Sequence, residues 1–171
     1  MKTYRVIVIS VLMFFVTSAS AQERPIHEVY SMMVFNFIKY IQWPDHEKPG
    51  EFVIAVMGSN DMFNTLTAWY AGKAKGNKIY AVKKFNSVDE ISDCHVLFID
   101  RSKSSDFVTI NIKLKGKGTL IVTDKNGMGE KGSCINFKTV NEKLRFELNQ
   151  AAIEASNLKV SSALSSMAIL I

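Results

Sequence analysis

The sequence predicts one domain of the α/β class, built on a mixed, mostly parallel sheet of five to six strands flanked by helices on both faces. Two observations lead to this prediction. Three short runs, at 52–57, 95–99 and 119–122, are apolar at almost every position, which is typical of strands covered on both faces. Segments with helical periodicity alternate with these runs, and that alternation indicates a parallel sheet with helices packed against it.

Residues 1–21 have the composition of an export signal. Lys2 and Arg5 provide a positive start, and residues 6–16 form an apolar run shorter than the about 20 residues that cross a bilayer. Small residues at 19–21 complete a peptidase site, so cleavage is expected directly after them. The predicted units are a signal peptide over 1–21 and a single domain over 22–171.

The charge balance is mildly basic. The chain has a formal net charge of +5, and removal of Lys2 and Arg5 leaves +3. The basic residues are scattered along the sequence, and an exported protein does not meet nucleic acid in its usual surroundings. Nucleic acid is therefore excluded as a partner.

The chain has two cysteines, Cys94 and Cys134, each within a strand-like run. Two cysteines are few for a disulfide scaffold, and a free cysteine is commonly a small buried apolar residue. We predict that both are buried and unpaired. A disulfide between them stays open as the alternative, because an oxidising compartment permits one.

The first half of the domain predicts two helices around an apolar strand. Residues 26–43 show a narrow polar stripe on a helical wheel and end at Pro44, which predicts a largely buried helix. Strand 52–57 is followed by a turn and by a capped helix that continues to Ala71. A basic, glycine-containing loop then leads to a short strand over 79–82.

The second half continues the alternation and adds a hairpin. Two runs of strand character lie on either side of Val140-Asn141-Glu142, which predicts an antiparallel pair. Besides the strands already named, the predicted elements are a helix over 104–114, hairpin strands over 134–139 and 143–148, a helix capped by Asn149 and ending at Ala155, and a final helix over 160–171.

Two glycine-containing turns resemble phosphate-binding loops. Gly127–Gly132 matches the GxGxxG pattern, but that fingerprint requires the loop to begin a helix, and here a strand-like segment follows. We interpret it as a loop that enters the hairpin. Gly58–Asp61 follows a buried strand and begins a helix, and we interpret it as a helix cap and not as an anion site.

No set of residues indicates catalysis. Asp100 and Asp124 follow buried strands, where a carboxylate can face a ligand crevice but is usually a turn residue. His27, His46 and His95 lack the spacing of metal ligands, and no GxSxG nucleophile motif occurs. The sequence therefore predicts no catalytic residues, no metal site and no cofactor, which leaves binding or regulation as the function class.

Six segments of the chain, taken in order, resemble the YfiR-like family of periplasmic proteins. The opening helix has an aromatic-rich body and a terminal Trp-Pro, and a later strand begins with Cys-His. The resemblance covers nearly the whole domain, and the order and spacing of the segments make it specific. The segments are Tyr30–Pro44, Phe52–Gly58, Cys94–Asp100, Thr119–Phe137, Phe146–Leu158 and Lys159–Ala168.

The resemblance implies a periplasmic regulator without enzymatic activity or cofactor. Better-known members of the family bind the periplasmic sensor domain of a membrane-bound diguanylate cyclase and hold it inactive. The implied partner is therefore a membrane signalling protein, reached through its periplasmic domain. Family members often carry a cysteine in the first strand that could pair with the cysteine of the Cys-His strand. This chain has Ala55 there, so that bridge to Cys94 is absent.

The protein-binding surface is expected on the predicted final helix. Ser161, Ser162, Ser165 and Ser166 cluster on one side of its wheel, and Ile169 projects among them. Small side chains around one apolar knob allow a partner, or a second copy of the chain, to approach closely. The alternative is that a neighbouring helix of the domain covers this side. The residues expected to face the core are Val160, Leu164, Met167 and Ile171.

Two other function classes stay open. A periplasmic small-molecule binding module requires a concave apolar pocket, expected at the carboxyl ends of the strands. An exported hydrolase requires a nucleophile and a base within hydrogen-bond reach. The regulator is the favoured hypothesis, because the resemblance supports it and no catalytic motif supports the hydrolase.

Overall fold

The computed structural model describes residues 24–45 and 47–171 of the chain. The predicted signal peptide and His46 lie outside these residues. The helices are α1 Ile26–Tyr40, α2 Asn60–Tyr70, a 3-10 helix Arg101–Asp106, α3 Phe107–Leu114, α4 Gln150–Ala155 and α5 Ser162–Met167. None of these described helices is long and apolar enough to cross a membrane. The strands are β1 Ile41–Gln42, β2 Gly50–Met57, β3 Ala74–Lys75, β4 Lys78–Phe85, β5 Val96–Ile99, β6 Leu120–Thr123, β7 Ile135–Val140, β8 Lys143–Leu148, β9 Lys159–Val160 and β10 Ile169–Leu170.

One sheet of eight strands forms the centre of the domain, in the order β10-β8-β7-β6-β5-β2-β4-β3. Neighbouring strands run parallel except in the pairs β7/β8 and β3/β4. The predicted single α/β domain with a mixed, mostly parallel sheet is confirmed, but five to six strands is too few. The additional strands, β3 and β10, are two residues long, so neither has a hydrophobic period that the sequence could reveal.

Strands β2, β5 and β6 are interior strands of the sheet, as predicted, and every residue of β5 and β6 is buried. Tyr30 of α1 packs against Phe98 and Phe137 on one face. Cys134 comes directly before β7, three residues from Phe137, and it therefore points to the opposite face, because side chains alternate along a strand. Its Sγ lies 3.8 Å from the carbonyl oxygen of Ala152 in α4. Helices therefore cover both faces.

An aromatic cluster fixes α1 on the sheet. The ring of Tyr30 stacks on that of Phe137 with centroids 4.1 Å apart. Phe37 lies 5.0 Å from Phe146 and 5.8 Å from Phe137, measured between ring centroids. Such pairs contribute about 0.5–1.5 kcal/mol each beyond the burial of their area. The cluster joins the helix to β7 and β8, which are distant from it in sequence.

A buried polar network runs across β6, β7 and β8. Thr123 Oγ1 donates to Asn136 Oδ1 at 2.8 Å, and Asn136 Nδ2 donates to Glu147 Oε2 at 2.9 Å. Lys138 Nζ donates to Glu147 Oε1 at 2.6 Å and reaches it from the surface. The buried carboxylate is thus both paired and hydrogen-bonded, which is the condition for burying a charge at tolerable cost.

The helix α1 is shorter than the helix predicted over 26–43. Ile41 has an extended backbone and pairs with Val160, and Gln42 pairs with Lys159. The chain therefore leaves the helix before Pro44 to form the small two-stranded sheet of β1 and β9. Local periodicity carries no information about pairing with a strand near the other end of the chain.

The predicted helix over 160–171 is wrong at both ends. The helix α5 begins after its N-cap Ser161 and stops at Ala168, which has an extended backbone. Residues 159–160 and 169–170 form strands β9 and β10. In this segment, pairing with strands elsewhere in the fold overrides the weak local preference for helix.

Both cysteines are buried and unpaired, as predicted. Burial raises the pKa of Cys94 to about 12 and also raises the pKa of Cys134. Because the thiolate is the nucleophilic form, neither thiol is activated for chemistry at neutral pH. The cysteines therefore act here as small core residues.

Candidate functional site

The C-terminal segment, defined as residues 161–171, carries the residues predicted to bind a partner. Ser162 and Ser166 are exposed on α5, and Ser165 is half-buried there. Ile169 is half-buried in β10. The four residues lie in one short segment but not on one helical face, since α5 ends before Ile169.

The apolar side chains of the C-terminal segment differ from the prediction. Leu164 is buried, as expected, but Met167 and Ile171 are 47% and 42% exposed. Leu170 is 49% exposed in β10, the outermost strand at its end of the sheet. Three of the eight exposed large hydrophobic side chains in the described residues thus lie in this segment, which makes it an apolar surface.

The loops that resemble ligand sites have structural roles. Residues 127–132 lead into β7 and not into a helix. Ser59 Oγ accepts the N–H of Met62 as the N-cap of α2, and Asp100 Oδ1 accepts the N–H of Ser102 at the start of the 3-10 helix. Within the described ranges, no three His, Cys, Asp or Glu side chains converge as metal ligands would. The loop and cap interpretations are confirmed, and so is the turn interpretation of Asp100, whereas Asp124 has a different environment.

A polar cavity of about 560 Å³ opens at the carboxyl ends of β6 and β7. Asp124 lies in its wall with a side chain 5% exposed, and Arg101 Nε donates to Asp124 Oδ2 at 3.2 Å. No described residue donates to Asp124 Oδ1. Burial raises the pKa of Asp124, while Arg101 opposes this. The small-molecule hypothesis requires an apolar pocket at this edge, whereas the cavity found there is polar.

A second cavity of about 440 Å³, here called the lysine cavity, lies at the other edge of the sheet. It is bounded by α1 and by the first residues of β2 and β4. Its aromatic wall consists of Trp43, Phe52 and Tyr80, all of which are buried. The positively charged side chains that line it are Lys39, Lys75 and Lys78.

One carboxylate next to the lysine cavity joins a lysine to a histidine. Asp45 Oδ2 accepts from Lys78 Nζ at 3.0 Å and lies 3.1 Å from His95 Nε2. His95 Nδ1 accepts the N–H of Val53 at 3.0 Å, so Nε2 carries the proton of the neutral ring and donates it to Asp45. The imidazole also stacks on Phe52 with centroids 4.4 Å apart. This arrangement fixes the starts of β2 and β5.

Acidification is expected to destabilise the protein through His95. Burial lowers its pKa below the usual 6.5, although Asp45 opposes this. As the pH falls through about 6.5, the unfolded state therefore binds more protons than the folded state, and the free energy of unfolding falls. We expect His95→Asn, whose amide oxygen still accepts from Val53, to flatten this dependence in urea unfolding between roughly pH 7 and pH 5.

The matched control is His27→Asn, which removes an imidazole of α1 outside this network. It keeps the pH dependence of the wild-type protein if His95 is the titrating group. A slope as steep in His95→Asn as in the wild-type protein would contradict the prediction.

Comparison with known protein families agrees with the order of elements in the fold. No curated protein is a significant match to the chain. The sequence profile of the YfiR/HmsC-like family matches residues 27–169, from the first turn of α1 to the start of β10. The match spans nearly all of the described domain, which confirms the resemblance seen in the sequence. The chain therefore belongs to the YfiR/HmsC-like family.

Proposed function

We propose that this chain is a periplasmic, non-enzymatic regulator that binds the periplasmic domain of a membrane signalling protein, a diguanylate cyclase, and restrains it. The family match over residues 27–169 carries the proposal, because YfiR/HmsC-like proteins are periplasmic regulators of diguanylate cyclases. The apolar run and small-residue site of residues 1–21 support export to that compartment.

The C-terminal segment is the proposed contact surface. Ser162, Ser165 and Ser166 are small, so another backbone can approach α5 closely, and Ile169 follows them along the chain in β10. Leu170 adds exposed apolar area, and its removal from water by a partner would favour binding. The outer edge of β10 also faces no further strand of this sheet, which permits a partner to add one.

Restraint requires that the regulator bind one state of the cyclase better than the other. A ligand shifts a conformational equilibrium only by its difference in affinity for the two states. Tight binding to an inactive sensor domain therefore lowers cyclase activity without any chemistry in the regulator. This explains how a domain with inert thiols and no catalytic motif acts on an enzyme across the membrane.

The test places a photo-crosslinking amino acid at position 170 of the full-length protein in its native envelope. We expect crosslinking to a membrane protein with a cytoplasmic diguanylate cyclase domain, and Leu170→Glu should raise cellular cyclic di-GMP. Leu170 is preferred to Ile169 for substitution, because Ile169 is half-buried and its loss would disturb β10.

The control position is Asn64, which is exposed on α2 near β4, towards the opposite end of the sheet. A crosslinker there should not capture the cyclase. Crosslinking at position 170 only to a second copy of this chain would assign the surface to self-association. Unchanged cyclic di-GMP after deletion of the whole protein would refute the regulatory role.

A further inference from the structure

The lysine cavity has aromatic walls that belong to the core yet line an open space. Trp43 and Phe52 are 2% and 1% exposed, and both contribute to the wall. Phe35 stands beside them as an exposed aromatic side chain. A volume of about 440 Å³ lies within the roughly 300–1,000 Å³ of sites that enclose small ligands. The shape therefore suits an apolar molecule of modest size.

The charge of the cavity is not balanced by the described residues. Lys78 is paired with Asp45, whose carboxylate is also shared with His95. Lys39 and Lys75 have no carboxylate within 4.0 Å among the residues that the structure describes. Lys39 is exposed to solvent, whereas Lys75 is half-buried, and an ammonium group in apolar surroundings is costly unless an anion accompanies it.

Lys75 is the lysine placed to meet a ligand. Its Nζ lies 4.6 Å from the ring centroid of Phe52 and 5.9 Å from that of Trp43. Burial lowers the pKa of Lys75, and the neighbouring Lys78 lowers it further, while Asp45 partly opposes these effects. A bound anion would act in the opposite direction, because it stabilises the charged amine. The ammonium thus stands over the apolar wall, and no carboxylate of the described residues lies within 4.0 Å of it.

We propose that the lysine cavity binds a small amphipathic anion, with its single carboxylate or sulfate head on Lys75 and its apolar body along Trp43 and Phe52. This inference goes beyond the regulatory function and does not depend on it. The two requirements are separable. The aromatic wall binds the apolar part of a ligand whatever the charge of its head, whereas Lys75 binds only an anionic head.

Fluorescence of Trp43 reports occupancy directly. The chain has two tryptophans, so Trp69→Phe leaves Trp43 as the only one. We expect decanoate and decyl sulfate to change its emission saturably, with one molecule bound per chain. Decanol, which has the same chain length without charge, should bind at least about tenfold more weakly, because a charge-assisted hydrogen bond contributes about 1.5–3 kcal/mol. Decyltrimethylammonium should bind more weakly than decanol, because Lys75 repels its cationic head.

Substitutions in the same background assign the anionic head to Lys75. Lys75→Gln should weaken decanoate binding about tenfold and leave decanol binding unchanged. The matched control is Lys73→Gln, an exposed lysine two positions away that does not line the cavity, and it should bind decanoate as before. Ala74→Phe, which places a bulky ring in the cavity from an exposed position and adds no second tryptophan, should abolish binding of both probes.

Circular dichroism and thermal unfolding identify any variant that fails to fold, and Ala74→Phe tests the cavity independently if Lys75→Gln fails to fold. Equal affinity for decanoate and decanol would overturn the proposal, as would equal effects of Lys75→Gln and Lys73→Gln. Absence of any saturable Trp43 response to the two anions would overturn it as well.

Discussion

Leu97→Ala is expected to lower the free energy of unfolding by about 2–5 kcal/mol, the range for large aliphatic side chains in well-packed cores. Leu97 is fully buried in β5, and its neighbours across the sheet are Ala55 of β2 and Ile121 of β6. Both flanking strands are themselves interior, so the sheet cannot collapse to fill the space that the leucine leaves.

Urea unfolding at neutral pH measures this change. The matched control is Val108→Ala, which removes an aliphatic side chain that is 62% exposed on α3, and surface substitutions of this kind change stability by about 0.5 kcal/mol or less. A loss below about 1 kcal/mol for Leu97→Ala would mean that β5 is not at the centre of the core.

The same burial explains which parts of the fold the sequence predicts. Strands 52–57, 95–99 and 119–122 must be apolar at almost every position because helices cover both faces of the sheet, and such runs are visible locally. The hairpin is also visible in the local sequence, but for a different reason. Asn141 and Glu142 adopt the left-handed turn conformation and connect two strands in which apolar and polar residues alternate.

What the sequence does not predict depends on contacts between distant segments. The pairing of Ile41 with Val160 ends α1 early, and the pairing of Leu170 with Leu148 replaces the end of a predicted helix. Ser31 belongs to the polar stripe of the predicted first helix, yet it is fully buried, because α2 packs there and Ser31 Oγ lies 3.2 Å from Met62 Sδ. Each strand pair or helix contact is decided by tertiary structure and not by local pattern.

The candidate sites divide in the same way. The exposed serines of α5 follow from the local sequence, and their role in partner binding stays a prediction. The lysine cavity draws on Lys39, Lys75 and Lys78, which lie in three different elements, so no motif marks them. The link between Asp45 and His95 joins a loop to the residue before β5. In the sequence, Trp43 and His95 are indicated only by the family resemblance, as part of the Trp-Pro and Cys-His dipeptides.

Gly58→Ala is expected to lower the free energy of unfolding by about 3 kcal/mol, from strain and steric overlap together. Gly58 has φ +98°, a conformation that side chains rarely adopt, and it lies directly after β2. A Cβ atom there would stand 2.9 Å from Asp100 Cβ, 2.9 Å from Lys103 Cγ and 3.0 Å from Ser102 Oγ. The absence of a side chain at Gly58 lets the end of β2 pack closely against the 3-10 helix that follows β5. That helix carries Arg101, which donates to Asp124.

Gly127→Ala separates the two contributions to that loss. Gly127 has φ +80°, but a Cβ atom there would meet nothing within 4 Å, so the substitution imposes backbone strain without overlap. We expect it to cost about 1 kcal/mol in urea unfolding, and the excess for Gly58→Ala then measures the close packing against Asp100 and its neighbours. Equal losses in the two variants would show that the 3-10 helix moves aside freely and that Gly58 is required only for its backbone conformation.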